Sequence, residues 1–520
     1  MEQNHIIHKV VVEVSVNNKE KAFEIKDNIS SFLTMDIFPK IESCLNDFQA
    51  KLPSHVIQIT RLNVNIDESH TSLNTNLENS ITTSFNNEIT EIVNTKFDNE
   101  SSLHKEISLL KKEEQLLQTF LHFLKSGSIP WWDSTEKPIA ILEPKMFNKI
   151  VSSNGFAHKL VHLMQNIEVE ERIINQLTDN QIKQICQKII QKNVPISLEI
   201  NLLKKLWKQF NADRKSVWSL ILDISTISFS NTDKSLENYI KEKIMKMFSL
   251  STGANITGTE NEIWEIILTI FPSIDKNDRV INVASKNNKS NKINKKLEET
   301  GLSVTGEEEG TTLKKRNEKE KENIIDDNLL KEKENFINIP LKKTSLNNSK
   351  EKTEAYENGY HVQNAGLVII HPFISNLFKR CNLMDPKTKK LTKPEVCIHL
   401  LHYIATGKTN QPESNMLFEK FLCNIPLHKS INRHVRLSKK QKAEADKVIE
   451  AVLYNWDAMK KSSVGLLQYE FLQRQGKLTL KDTQVLTLER KTQDILMDKM
   501  SWGLGLIKLP WQKKFIYINW

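Results

Sequence analysis

The sequence predicts a mainly α protein with small α+β domains at both ends, and three observations carry that reading. Apolar residues recur at helical spacing through most of the first 272 residues. Period-two runs rich in β-branched residues are confined to the two ends. Between about 275 and 358 the apolar pattern gives way to interspersed charge of both signs. The expected layout is a βαβ-type N-terminal unit with trailing helices over 1–132, a helical region over 133–274, a charged low-complexity linker over 275–358, and an α+β C-terminal domain over 359–520.

At the N-terminus, "HIIHKVVVEVSV" reads as a strand, and "HVIQITRLNVNID" as a second one, alternating at Ile57 and Ile59 and again at Leu62, Val64 and Ile66. Between them, residues 19–51 place Phe23, Ile29, Phe32, Leu33, Ile37 and Ile41 near helical spacing, with a break expected near Pro39. One face of that helix can then cover a small sheet.

From Leu73 to Leu124 the pattern stays helical, and Gly127 and Pro130 stop it before the adjacent Trp131 and Trp132. Two neighbouring tryptophans point different ways, so at least one must cap a core or meet a partner. Residues 145–272 give several amphipathic helices, among them "QIKQICQKIIQK" and "KSLENYIKEKIMKMF", without a fixed repeat period. The charged stretch that follows carries few aromatics and only isolated aliphatics; it reads as a polyampholytic linker, disordered or transiently helical when alone.

In the C-terminal third, Pro372 suits the first turn of a helix carrying Phe373, Leu377 and Phe378. "PEVCIHLLHYIATGK" is a helix stopped near Gly407, and two more helices follow in "KKQKAEADKVIEAVLYNWDAMKKSS" and "VGLLQYEFLQRQG". The period then drops to two in "GKLTL", "QVLTLER", "GLGLIKLP" and "KFIYINW", short strands around a helix over Thr492–Met500. Trp520 is placed as the last inward residue of this domain.

Composition narrows the function. At 520 residues there is room for two to four domains. The 73 basic and 64 acidic residues are interspersed, and no basic arm with interleaved aromatics occurs, which disfavours nucleic acid as a partner. Five scattered cysteines form no CxxC pair, so reduced thiols in a cytosolic protein are expected. The N-terminus lacks the pattern of a signal peptide, and the most apolar run, Val217–Phe229, is too short for a bilayer and contains Asp223; no membrane segment is expected.

Motifs for chemistry are incomplete. "ATGKTN" ends like a phosphate loop at Gly407, Lys408 and Thr409, but His402 stands where the first glycine belongs and a helix precedes it. Cys397, His399 and His402 could ligate zinc, yet Cys381, Cys423 and His371 complete no recognised spacing. HExxH and GxSxG are absent, so no catalytic, cofactor-binding or metal-ligating residue is assigned and no cofactor is expected. The candidates are for structural or interaction roles: Trp131, Trp132, His371, Pro372, His402, Trp502, Pro510, Trp511 and Trp520.

Four stretches, taken together and in order, carry a likeness. They are "NHIIHKVVVEVSV" with "VIQITRLNVNID"; "LLQTFLHFLKSGSIPWW"; "VQNAGLVIIHPFISNLF" with "HLLHYIATG" and "FLCNIPL"; and "SWGLGLIKLPW" running to "INW". On these the sequence resembles the tape measure proteins of contractile injection systems, the phage-tail-like particles of bacteria. The resemblance implies a structural role in setting tube and sheath length, with tube and baseplate or cap proteins as partners. It also implies assembly in the cytoplasm before incorporation into the particle. The alternative is an assembly chaperone or a baseplate or cap nucleation factor that measures nothing.

Overall fold

A computed structural model describes residues 5–7, 9–16, 18–51, 55–59, 61–66, 73, 75–98, 107–133, 140–190, 198–209, 213–230, 240, 242, 260–271 and 359–520. The described chain is mainly helical, with a small sheet near the C-terminus. It divides into two compact units, one of residues 1–156, 355–428 and 437–520, the other of residues 157–354 and 429–436. The expected charged linker at 275–358 lies outside the described residues.

Helix α1 (Lys19–Phe32) starts on Asn18, whose side chain accepts from the Glu20 backbone N–H at 2.8 Å. The helix does not break at Pro39. It passes through a π turn, Leu33–Ile37, in which the Phe38 N–H reaches back five residues to the Leu33 carbonyl, and continues as α2 (Phe38–Lys51). Proline lacks the N–H that would close the next α bond, and one widened turn at that place absorbs the loss. Phe32, Ile37, Ile41 and Phe48 then pack with Phe85 and Ile89 of α3 (Thr75–Asp98). Phe23, assigned to the same face by spacing, is 54% exposed.

The βαβ expectation is corrected. Strand β1 (His55–Ile59) pairs antiparallel with β2 (Ile107–Lys111), Ile57 opposite Leu109, and α3 lies between them in sequence. The described residues of 5–16 form no strand and are largely exposed. Alternation gives that segment strand propensity, but a strand needs a partner for its N–H and C=O groups, and β1 takes its partner from residues 107–111 instead. β2 also interrupts the continuous helix expected from 73 to 124. Beyond it, α4 (Lys112–Ser126) buries Leu117, Phe120, Phe123 and Leu124 against Phe147 of α5 (Pro144–Ser152) and Phe156. It ends where Gly127, at φ 78°, donates to the Phe123 carbonyl.

The second unit is built from α6 (Phe156–Leu163), α7 (Ile167–Gln176), α8 (Asp179–Ile190), α9 (Ile200–Gln209), α10 (Arg214–Ser230) and α11 (Glu260–Ile270). Helix α10 carries the most apolar run of the sequence, and it packs on α7, α8 and α9 with Val217, Trp218, Leu220, Ile221, Leu222 and Ile224 all buried. A helix apolar nearly all round is here the centre of a bundle. Among the described residues no helix is long and apolar enough to cross a membrane.

The C-terminal segment folds as helices on a five-stranded sheet. Its helices are α12 (His371–Arg380), α13 (Pro394–Thr406), α14 (Leu417–Leu422) and α15 (Lys439–Asn455), with a 3₁₀ segment at Ala365–Ile370 and a π segment at Leu467–Leu472. The strands are β3 (Tyr360–Val362), β4 (Gly476–Leu480), β5 (Gln484–Leu488), β6 (Leu506–Ile507) and β7 (Ile516–Asn519), in spatial order β3-β4-β5-β7-β6. Only β5 and β7 run parallel, and the connection between them carries β6 and the helix expected near Thr492–Met500, which is a 3₁₀ helix over Thr492–Lys499. Leu478, Leu486 and Ile518 line up across three strands on the buried face, while Thr487, Tyr517 and Asn519 face outward.

Candidate functional site

With no catalytic group to build from, the site is the set of polar ties that hold the C-terminal segment in one shape. Three of the sequence-selected tryptophans supply them. Trp502 donates its indole N–H to the Ile369 carbonyl at 2.9 Å and stands edge-on to Phe373, the ring centroids 5.5 Å apart. Trp511 donates to the Leu422 carbonyl at 2.7 Å beside Phe378. Gln512 adds a bond to the Phe421 carbonyl at 3.0 Å, so two residues of one turn satisfy the C-terminal carbonyls of α14. Pro510, just before that turn, is exposed.

Trp520 closes the third tie. Its Nε1 donates to Asp494 Oδ2 at 2.9 Å, and its ring lies under the Arg474 guanidinium at 5.5 Å. Arg474 meets Asp494 in a two-pronged pair at 2.9 Å on each oxygen, and also reaches the carbonyls of Glu470 and Glu489. Burial raises the Asp494 pKa, but the bonds from Arg474, the Lys491 N–H and Trp520, with the Arg474 charge, outweigh it and hold the carboxyl below its usual range. Trp520 keeps the inward parity of Ile516 and Ile518 and is half-buried, its polar edge spent on the carboxylate.

His402, on α13, is buried, and its Nδ1 lies 2.9 Å from Glu419 Oε1 of α14. Asn364, held in the left-handed region at φ 57°, gives the same oxygen a second bond at 2.8 Å and reaches the Asn415 carbonyl at 3.1 Å. Next to Glu419, the fully buried Lys420 donates to the Leu427 carbonyl at 2.6 Å and sits 3.8 Å from Glu413. Buried ions are costly unless paired, and this arrangement pins α14 to α13 and to the turn at 427. His371 opens α12 with Nδ1 2.9 Å from the Val368 carbonyl, and burial lowers its pKa; Pro372 follows within the first turn.

The other motif positions resolve structurally. Gly407 is the left-handed end of α13, its N–H bonded to the Tyr403 carbonyl, with Lys408 and Thr409 exposed beyond it. Cys397 and His399 are buried in α13, and burial raises the thiols of Cys397 and Cys423, keeping them protonated and weakly nucleophilic. Among the described residues no group of three or more His, Cys, Asp or Glu side chains is placed to hold a metal. Trp131 opens a short 3₁₀ turn, 131–133, in which Trp132 lies 6.2 Å from the His122 ring and Asp133 accepts from Thr119 at 2.7 Å.

In the second unit, Arg214 bonds Asp179 at 2.8 Å and the carbonyls of Ile174 and Leu177, while Trp218 shares the Asp179 oxygen at 2.7 Å. Segment 429–436 belongs to the same unit. Asn175 donates to Ser430 at 3.1 Å and Gln176 to the Ile431 carbonyl at 2.7 Å; the Arg433 N–H returns a bond to the Asn175 carbonyl at 3.0 Å. Arg474, Asp494, Glu419, Asn364 and this segment carry no local sequence signal, because the side chains they pair with are 17 or more residues away on other elements.

A family model for contractile injection system tape measure proteins matches residues 4–520, essentially the whole chain. No curated protein and no solved structure matches it.

Proposed function

The chain belongs to the contractile injection system tape measure protein family, and from that premise we propose that it measures with the stretch lying between its folded ends. Its role in the particle is structural, and it determines tube length. Tape measure proteins of these systems associate with tube and sheath components. The proposed partners are tube proteins and the baseplate or cap, engaged by an N-terminal part at 1–132 and a C-terminal domain at 359–520, with a helical region at 133–274 and the charged stretch at 275–358 between them. Sheath length follows tube length. Assembly takes place in the cytoplasm and needs no catalysis and no cofactor. His371, His402, Trp502, Trp511 and Trp520 serve as ties that keep the C-terminal end folded while partners dock, and Trp131, Trp132, Pro372 and Pro510 are the further structural or interaction positions.

The observation that carries this reading is the family match across nearly all of the chain. An insertion tests it. A helical block of about thirty residues near Thr312 should lengthen the tube by about 45 Å, rounded to whole tube rings, and a deletion should shorten it equally. A fully extended block would add about twice that. The whole chain as one helix reaches only about 780 Å, which bounds any tube measured by a single helical copy. Unchanged tube length at normal particle numbers would favour an assembly chaperone or nucleation factor instead.

A further inference from the structure

The C-terminal sheet buries Leu478, Leu486, Ile507, Ile516 and Ile518 on one face, and strand register fixes what stands on the other. Thr479 lies opposite Val485, Val485 beside Tyr517, and Tyr517 opposite Leu506, so one outward row crosses β4, β5, β7 and β6. A sheet with one solvated face ordinarily turns polar side chains outward. Here Val485 is half-buried, Tyr517 is 46% exposed and Leu506 51%, and Phe515, two residues ahead of Tyr517, adds a further large apolar side chain at 46%. Exposed apolar residues gathered in this way mark an interaction surface, where single ones would not.

The adjoining row, His361, Lys477, Thr487 and Asn519, is exposed across β3, β4, β5 and β7. Within the two rows charge has one sign: a lysine and a histidine, and no carboxylate. At the Phe515 end, the Lys508 ammonium stands 4.8 Å from the centre of the Phe515 ring, and the exposed Lys514 donates to the Asp482 carbonyl at 3.3 Å. The β6 edge supplies a second, independent observation. Gly503 and Gly505 lead into it; neither has the positive φ of Gly359 or Gly407, and a Cβ on either would meet nothing within 4 Å. Glycine is placed where the backbone is left-handed or where another backbone comes close. The first reason is missing at both positions, and the chain itself leaves the space for the second unused.

We propose that the outward face of this sheet, from β5 to the β6 edge, is a docking surface for another protein of the particle, one that brings an apolar centre rimmed by carboxylates. The proposal rests on the tape measure reading above. Leu506, Phe515 and Tyr517 fill the centre, Lys477, Lys508 and Lys514 meet the acidic rim, and Gly503 and Gly505 let the partner's backbone close in at the edge. The covered apolar centre supplies the affinity, and the charges set orientation and rate of encounter. Nucleic acid would meet the same lysines, but Val485 and Leu506 at the middle of the row offer no ring for bases to stack on, and neither row holds an arginine.

The test titrates the purified full chain with each tube, baseplate and cap protein of its particle, purified singly, and in parallel with a single-stranded DNA oligonucleotide, at low and at high salt. One of the proteins should bind, more weakly at high salt. Leu506→Glu and Tyr517→Ala should each weaken that binding about tenfold or more, and Lys477→Glu should weaken it most at low salt. Tyr469→Ala, at an exposed aromatic outside both rows, should leave it unchanged. Gly503→Leu removes nothing and adds bulk in open space, so it should melt as wild type and still lose binding. Binding by none of the proteins, or binding that ignores Leu506→Glu, Tyr517→Ala and Gly503→Leu alike, would overturn the docking surface. DNA binding that these replacements weaken, with no protein bound, would overturn it in favour of nucleic acid. The insertion near Thr312 judges the ruler separately: particles that lengthen with it while the face variants bind as wild type would keep the ruler and remove the docking surface, and face-dependent binding at unchanged tube length would do the reverse.

Discussion

Trp520 donates its indole N–H to the carboxylate of Asp494, 2.9 Å away and 26 residues earlier, while its ring lies against the arginine that the same carboxylate pairs with. One side chain thereby joins β7 to the 3₁₀ crossover and to the turn before β4. A hydrogen bond to a charged group contributes about 1.5–3 kcal/mol, and a cation over an indole face about 0.5–1 kcal/mol more.

Trp520→Ala in the full chain should therefore lower the C-terminal melting transition by roughly 5–10 °C. Trp520→Phe keeps the ring and loses the donor, and should fall between the two. Calorimetry on the three proteins checks the order, and a Phe variant that melts with wild type would assign the whole effect to packing.

Asp494 also makes a pH prediction. Its folded pKa is lowered relative to the unfolded chain, so the stability it contributes is fully present above the unfolded value of about 4 and is lost as pH falls through the folded one. The melting difference between wild type and Asp494→Asn should be constant from neutrality to about pH 5 and shrink below about pH 4. A difference that grows on acidification would reverse the sign of the argument.

Gly366 sits where the Ala365–Ile370 segment crosses the π segment Leu467–Leu472. A Cβ there would lie 1.7 Å from the Phe471 carbonyl oxygen and 2.7 Å from its carbon. Backbone cannot step aside as a side-chain tip can, so Gly366→Ala should cost about 3 kcal/mol or more. Gly503→Ala meets nothing within 4 Å and should be neutral in the same solubility and melting assays.

Purified full chain should carry no stoichiometric zinc by elemental analysis and show no melting shift with ATP and magnesium. The buried Cys397, the His402–Glu419 pair and the exposed Gly407–Thr409 turn are all placed by packing or capping. One zinc per chain, lost on replacing Cys397 or His402, would overturn this.

The C-terminal elements were legible because their signals are local. Pro394 and Gly407 bracket α13, Pro372 marks the start of α12, and the alternation of Ile516 and Ile518 with Tyr517 and Asn519 sets the inward face of β7. The N-terminal reading went astray where the signal was only propensity: "VVVEVSV" alternates as well as β7 does, but strand partners are chosen by tertiary structure, and β1 pairs with residues 107–111. The ties themselves were hidden. Arg474 and Asp494 are 20 residues apart with strands β4 and β5 between them, His402 and Glu419 lie on different helices, and neither pair has a spacing to read.

The sheet order carries a kinetic consequence. β3 begins at Tyr360, yet its partner is Leu478 on β4, and the buried row is complete only when Ile518 of β7 joins Leu486. The other strand pairs close over short to moderate sequence separation, whereas β3 must find β4 more than a hundred residues away, the kind of pairing that slows folding most. Sheet closure is then the late step of C-terminal folding. Until it happens, the apolar faces of α12 and α13 stay open to other chains, so the yield of assembled particles should depend on how many copies are folding at once.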